Sequence, residues 1–351
     1  MTGKMKAAVF KDIEDIVVEE RDIPACPRDG LLVRVMACGI CGSDVRNYHN
    51  GLRDGIKDQI MGHEIAGQVV EVGGEVTRFK PGDRIALAPD VSCGHCWYCK
   101  RGFVNLCQSH RMLGTHFPGG YAQYLALPSD VLQHGFIEKI PEGMSYDFAA
   151  FAETAAAVVA CQKNNNISLG DTVCIIGDGP VGCLHIEVAR ARGAKKIIMA
   201  GMDKLDLARN FGADCLFKNT DPERVKNSVL ELTDGIGADI VICAVPSVAV
   251  QEQALEMVRK RGRVVIYGGV PKTKQTTQLN SNLIHYNEVM VLGAFSYPAT
   301  GLADALSCIQ AGQIHPEKYI SAHVSLNDVV KGMNMVTAGK ALKVMIDPWL
   351  K

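Results

Sequence analysis

Apolar residues along the chain come first in short runs at strand spacing, then in longer runs that alternate between strand and helix patterns. Residues 7–10, 16–19 and 31–35 read as strands, parted by Pro24, Pro27, Asp29 and Gly30. A further strand at 65–72 ends in Gly73-Gly74. Another at 85–87 follows the tight turn Pro81-Gly82-Asp83-Arg84, and one more returns after Gly119-Gly120-Tyr121-Ala122-Gln123-Tyr124. This pattern predicts an antiparallel, barrel-like β domain. Pro141-Glu142-Gly143-Met144 opens a helical stretch, and residues 148–160 are apolar nearly all round, which predicts a buried helix.

From residue 170 the texture changes. A strand at 172–176 runs into Gly177-Asp178-Gly179-Pro180-Val181-Gly182 and then a helix to about Arg192. Strand-like 196–200, 239–243 and 263–267 alternate with helical 204–211 and 250–259, the signature of a doubly wound parallel sheet. In this strand–turn–helix setting Gly-x-Gly-x-x-Gly is the dinucleotide fingerprint. Gly177 makes the turn, Gly179 lets the backbone approach a pyrophosphate, and Gly182 lets helix pack on strand. The helix start after Pro180 and Val181 offers free N–H groups to the phosphates. An acidic residue usually closes the second strand and binds the adenosine ribose. Here Asp203 comes late and Lys204 follows: Asp203 on the ribose would favour NAD, whereas Lys204 on a 2′-phosphate would favour NADP. After residue 298 come helices at 301–310 and about 327–335 and a last strand at 343–346, a tail long enough to fold back onto the first domain. The expected division is thus 1–155, 156–297 and 298–351.

At 351 residues two cores are expected. The composition, 47% hydrophobic and 21% charged with net charge −1, is that of a soluble globular chain. It argues against nucleic acid or an anionic membrane surface as partner. No apolar run approaches bilayer length, and the first residues lack the apolar core of a signal peptide. With thirteen cysteines, four of them tightly clustered, the chain reads as cytoplasmic, its thiols reduced and some bound to metal.

Two clusters carry candidate chemistry. Cys41, His63 and Glu64 supply a thiolate, an imidazole and a carboxylate, the three ligand types that suit zinc, around a polar loop. Glu153, alone in an apolar helix, must be paired, hydrogen-bonded or bound to metal, and a further zinc ligand is the sharper reading. Cys93, Cys96, Cys99 and Cys107 follow C-x2-C-x2-C-x7-C in a lobe spanning about 90–110. Four thiolates that close can complete a tetrahedron around a structural zinc. His95 then has no place in the shell.

Together, Cys-Gly-Ser-Asp at 41–44, Gly-His-Glu at 62–64, the four-cysteine lobe, Glu153 and the glycine loop resemble the zinc-containing medium-chain dehydrogenases over essentially the whole chain. The branch they look most like is that of polyol (sorbitol), threonine and butanediol dehydrogenases. The resemblance implies a GroES-like β-barrel catalytic domain beside a Rossmann nucleotide-binding domain, two zinc ions per chain, and NAD or NADP. It implies a catalytic zinc on Cys41 and His63 with Glu64 and Glu153 as alternating ligands, and a structural zinc on the cysteine lobe. Ser43 would take the alcohol proton and Asp44 would orient the zinc-binding histidine. Relatives carry a proton-passing histidine where this chain has Arg46, which could instead contact an anionic or polyhydroxylated substrate. The implied reaction converts a secondary alcohol (polyol, sugar alcohol, cyclitol or polyol phosphate) to its ketone in a homodimer or homotetramer. Amino-alcohol or butanediol oxidation, a zinc-free reductase and a non-catalytic nucleotide-binding protein are the rivals.

Overall fold

The computed structural model describes residues 2–271, 273 and 275–351. The chain forms two compact units, one made of the residues up to Ala156 together with Tyr297–Lys351, the other of Ala157–Ser296.

The first unit is built on strands that pair antiparallel, except that Ile320–Val324 runs parallel to Lys343–Ile346. Lys4–Asp12 pairs with Asp15–Asp22 and with Gln59–Ile60. A larger sheet runs in the order Phe136–Lys139, Arg84–Ala88, Glu64–Val72, Leu31–Gly39, Lys343–Ile346, Ile320–Val324, with Tyr124–Leu127 also joined to Leu31–Gly39. The apolar faces of these strands close over one core that includes Phe10, Leu31, Ile65, Leu87 and Tyr121. The last strand of the chain lies directly against Leu31–Gly39, pairing Met345 with Gly39 and Ile346 with Cys38. On the other side Gly39 pairs with Glu64. Any Cβ at Gly39 would overlap the Glu64 carboxylate, so glycine is required there by close approach.

The second unit is a six-stranded, wholly parallel sheet in the order Cys215–Lys218, Lys196–Gly201, Thr172–Ile176, Ala238–Cys243, Val258–Ile266, Met290–Gly293. Numbered along the chain this is 3-2-1-4-5-6, the doubly wound dinucleotide-binding order. The fold is therefore the GroES-like plus Rossmann α/β architecture expected. No helix among the described residues is long and apolar enough to cross a membrane.

Local differences from the sequence reading have local causes. The helix expected from Pro141 begins at Tyr146 and runs to Asn164, because Gly143 takes a left-handed turn at φ 79°. The helix read over 204–211 is only Leu205–Arg209. Cys215–Lys218 and Ile320–Val324 are too short, at four and five residues, to stand out, and the helix Pro222–Glu231 capped by Asp221 buries only Val225 and Val229.

One buried group in the second unit has a measurable consequence. His185, in the middle of helix Pro180–Ala191, is fully buried, and its Nδ1 lies 3.1 Å from Gln162 Nε2. Burial lowers its pKa from 6.5 to about 3, since a protonated ring would stand uncompensated in the core. The unfolded chain takes up that proton near 6.5 and the folded one near 3, so this stability is intact above pH 6.5 and is lost as pH falls. Between pH 7 and pH 5 the denaturation free energy should drop by roughly 2 kcal/mol on account of His185. His185→Gln should flatten that part of the pH profile in chemical denaturation; an unchanged slope would contradict the assignment.

Candidate active site

The first cluster forms where the loop after strand Leu31–Gly39 meets the start of strand Glu64–Val72. Cys41 caps the helix Gly42–Asn50, its side chain accepting from Ser43 N–H at 3.5 Å. Its backbone N–H donates to Asp44 Oδ2 at 2.9 Å, which closes a capping box. The cap thus fixes Cys41, Ser43 and Asp44 together. His63 and Glu64 enter on the facing strand, and the ligand atoms of Cys41, His63 and Glu64 all lie within 4.8 Å of one another.

Each charge here has a named partner. Asp44, 2% exposed, receives His63 Nδ1 at 3.1 Å and the Tyr121 hydroxyl at 3.0 Å. Burial alone would raise the Asp44 carboxyl. The His63 charge, with hydrogen bonds from His63, Cys41 N–H and Tyr121, outweighs it and holds the group below its usual range. Burial opposes protonation of His63, yet Asp44 and Cys41 pull the imidazole well above its ordinary pKa. That pull marks a pocket of negative potential. Ser43 Oγ stands 3.4 Å from His63 Nε2. Glu64 is fully buried and gripped by Lys343 Nζ at 2.6 and 2.7 Å, with the Thr154 hydroxyl donating to it at 2.8 Å. Glu153 stands apart from the three-residue set; Tyr297 donates to it at 2.7 Å. Burial raises the Glu153 carboxyl to about 7. Arg46 is exposed on the helix, its carbonyl accepting from Asn50.

The second cluster is the cysteine lobe, whose four sulfurs also lie within 4.8 Å of one another. Cys96 and Cys99 sulfurs are 3.5 Å apart, Cys93 and Cys99 4.0 Å. Sulfurs on a tetrahedron with ~2.3 Å bonds are ~3.8 Å apart, so the spacing fits a tetrathiolate zinc. All thirteen cysteines are free thiols. Backbone N–H groups of Cys99 and Gln108 bring the Cys96 thiol down to about 6, whereas burial pushes the Cys107 thiol up to about 12, so the sulfur spacing and not the titration carries the reading. His95 is exposed and bonds the Cys93 carbonyl.

In the second unit the glycine loop joins strand Thr172–Ile176 to helix Pro180–Ala191. Gly177 sits at φ 127°, and a Cβ at Gly182 would overlap the Gly177 carbonyl. No side chain caps the helix at Gly179, and Pro180 and Val181 form its first turn. Its leading N–H groups are thus free for phosphate. Asp203 is exposed; Lys204 is partly buried, and its N–H donates to Asp178 Oδ2 at 2.7 Å.

Sequence reading missed Lys343, Thr154, Tyr121 and Tyr297. A lysine inside the apolar run Ala341–Ile346 was the available signal for the first; the others look like ordinary core residues until the fold brings them together.

A thiolate–imidazole–carboxylate centre, a four-cysteine lobe and a dinucleotide loop define a zinc- and NAD(P)-dependent dehydrogenase. Residues 27–137 match the alcohol dehydrogenase GroES-like domain, and residues 180–311 the zinc-binding dehydrogenase family. The chain is 32% identical to a sorbitol dehydrogenase of Bacillus subtilis (strain 168) over 352 residues, covering 98% of this chain and 97% of that one. It is 32% identical to D-xylulose reductase A of Aspergillus oryzae over 356 residues, with 98% and 97% covered. A solved Sinorhizobium meliloti 1021 structure bound to NADP superposes with a TM-score of 0.89 at 31% identity, covering 99% of this chain and all of that one. The chain belongs to the zinc-containing medium-chain dehydrogenases, in their polyol branch.

Lys343→Met leaves Glu64 buried without its counter-charge and should cost roughly 3–5 kcal/mol in chemical denaturation. Adding Glu64→Gln should recover much of that loss. A cost below about 1 kcal/mol for the single variant would show that the pair does not hold the site together.

Proposed function

We propose that this chain oxidises a secondary hydroxyl of a polyol, sugar alcohol, cyclitol or polyol phosphate to the ketone, reversibly, with NAD(P) as hydride acceptor. The observation that carries the reading is the convergence of Cys41, His63 and Glu64 within 4.8 Å, with Ser43 Oγ beside His63. Similarity to a sorbitol dehydrogenase and a D-xylulose reductase supports the substrate class.

Cys41, His63 and Glu64 would hold the catalytic zinc, with Glu153 as the alternating carboxylate, and Cys93, Cys96, Cys99 and Cys107 a structural one. Zinc bound at the first site supplies Lewis acidity that lowers the pKa of an alcohol. The chain's own residues do the rest. Asp44 accepts from His63 Nδ1, which would leave Nε2 as the nitrogen available to a metal. The Ser43 hydroxyl, partly exposed, is the first stop for the alcohol proton and releases its own proton toward solvent as it accepts it. Lys343 and Thr154 hold Glu64 beneath the site and balance its charge. Arg46, exposed on the helix Gly42–Asn50, is the candidate contact for an anionic or polyhydroxylated substrate. Gly177, Gly179, Pro180, Val181 and Gly182 would receive the pyrophosphate.

Thirteen cysteines, none in a disulfide, favour a reducing compartment, hence the cytoplasm. Exposed Tyr286, Met290 and Phe295 around the edge strand Met290–Gly293 favour assembly as a homodimer or homotetramer.

Polyols, cyclitols, polyol phosphates, 2,3-butanediol and threonine should be assayed with both cofactors. Polyols should be oxidised with one ketone formed per reduced nicotinamide, and Ser43→Ala should lower kcat by about 10²–10⁴-fold with metal content unchanged. Turnover confined to simple primary alcohols, or to threonine or butanediol, would overturn the substrate class.

A further inference from the structure

The second strand of the nucleotide unit, Lys196–Gly201, ends in a residue with no side chain, where an acidic residue would ordinarily meet the adenosine ribose. The space is not empty. A Cβ at Gly201 would overlap the Cβ, Cγ and Oδ2 of Asp178, so the Asp178 side chain already lies over the end of this strand. Asp178 is the second residue of the glycine loop and reaches that place from the neighbouring strand Thr172–Ile176. Its Oδ2 accepts the Lys204 N–H at 2.7 Å, which fixes the carboxylate in position. Its Oδ1 receives no hydrogen bond from the described residues. Asp178 is half-buried, whereas Asp203 is exposed and its carboxylate neither caps the helix Leu205–Arg209 nor pairs with Lys204.

We propose that Asp178 is the residue that selects NAD over NADP, its carboxylate taking the ribose hydroxyls over Gly201 and repelling a 2′-phosphate. The inference rests on the reading that the loop 177–182 holds the dinucleotide. The chemistry follows from charge and hydrogen-bond capacity. A free carboxylate oxygen accepts from a vicinal diol in a charge-assisted bond. The same oxygen placed against a phosphate dianion is a like-charge contact in a partly desolvated site, which is strongly disfavoured. Gly201 and Asp178 act as a pair. The missing side chain on one strand makes room for the carboxylate that the loop supplies from the other. Asp203, which sequence order favours for this role, is displaced from it by the early end of the strand at Gly201. Lys204 contributes its backbone N–H as the anchor of Asp178.

The test is direct binding rather than turnover. NADH and NADPH are titrated against the zinc-loaded protein by nicotinamide fluorescence, for the natural chain, Asp178→Asn and Asp178→Ser. The natural chain should bind NADH at least about tenfold more tightly than NADPH. Asp178→Asn keeps an oxygen for the Lys204 N–H while removing the charge. It should narrow that ratio at least about tenfold, chiefly by tightening NADPH. Displacement of NADH from the natural chain by 5′-AMP and by adenosine 2′,5′-bisphosphate reads the same contact without any substitution, and the bisphosphate should be the weaker competitor. The proposal is overturned by equal binding of the two cofactors, by a ratio unmoved in both variants, or by NADPH tightness that disappears in Lys204→Ala. If neither cofactor binds, the assignment of the loop itself falls, and this inference with it.

Discussion

Charge buried next to charge is the constraint around which the catalytic unit is arranged. Asp44 and Glu64 are both all but inaccessible, and Cys41 joins them as a ligand-type thiol. Isolated ions in such a place would cost far more than the fold can supply, so each must be paired or neutralised. Lys343 cancels one negative charge, at Glu64. With Cys41 as thiolate and His63 neutral, as a metal ligand must be, the two that remain are what a divalent cation would balance. Glu153, raised to about 7 by burial and hydrogen-bonded to Tyr297, adds charge only when deprotonated. With His63 neutral, a divalent cation at this place would close an electrostatic arrangement that the protein's own side chains leave two charges short.

That arrangement depends on chain topology. Lys343 lies near the end of the sequence and Glu64 near its beginning, and they meet because the strand Lys343–Ile346 pairs beside Leu31–Gly39. Gly39 keeps a channel open between the flanking strands through which the Glu64 carboxylate passes. Thr154, one residue beyond Glu153 on the helix Tyr146–Asn164, touches both Lys343 and Glu64. The catalytic unit thus draws on three separated stretches of sequence for one ion pair, and the tail is part of the site's foundation as well as of the sheet.

Motifs with fixed local spacing were legible from the residues alone. The cysteine lobe and the glycine loop are each contiguous, and their chemistry follows from how close neighbouring residues must lie. The parallel sheet was legible because strands such as Val173–Ile176 and Ile197–Ala200 are buried on both faces and read as unbroken apolar runs. Cys215–Lys218 is an edge strand of the same sheet, half-exposed and polar at its end, and gave no such run. Lys343 and Tyr297 act through contacts with Glu64 and Glu153 that span more than a hundred residues, and no periodicity reports a contact of that range. Asp178 was hidden differently: it stands inside a recognised motif, at a position whose identity the motif leaves free. Its direction became visible only through the space it takes above Gly201.

The central claim is that the charge-deficient pocket and the thiol lobe each hold a zinc ion. Crystals of protein expressed with zinc, measured on both sides of the zinc absorption edge, test this most directly. The account predicts two anomalous peaks per chain, one among Cys41 Sγ, His63 Nε2 and the Glu64 carboxylate and one among the four lobe sulfurs. A peak in the lobe alone, with Cys41 and His63 holding no metal, would contradict it.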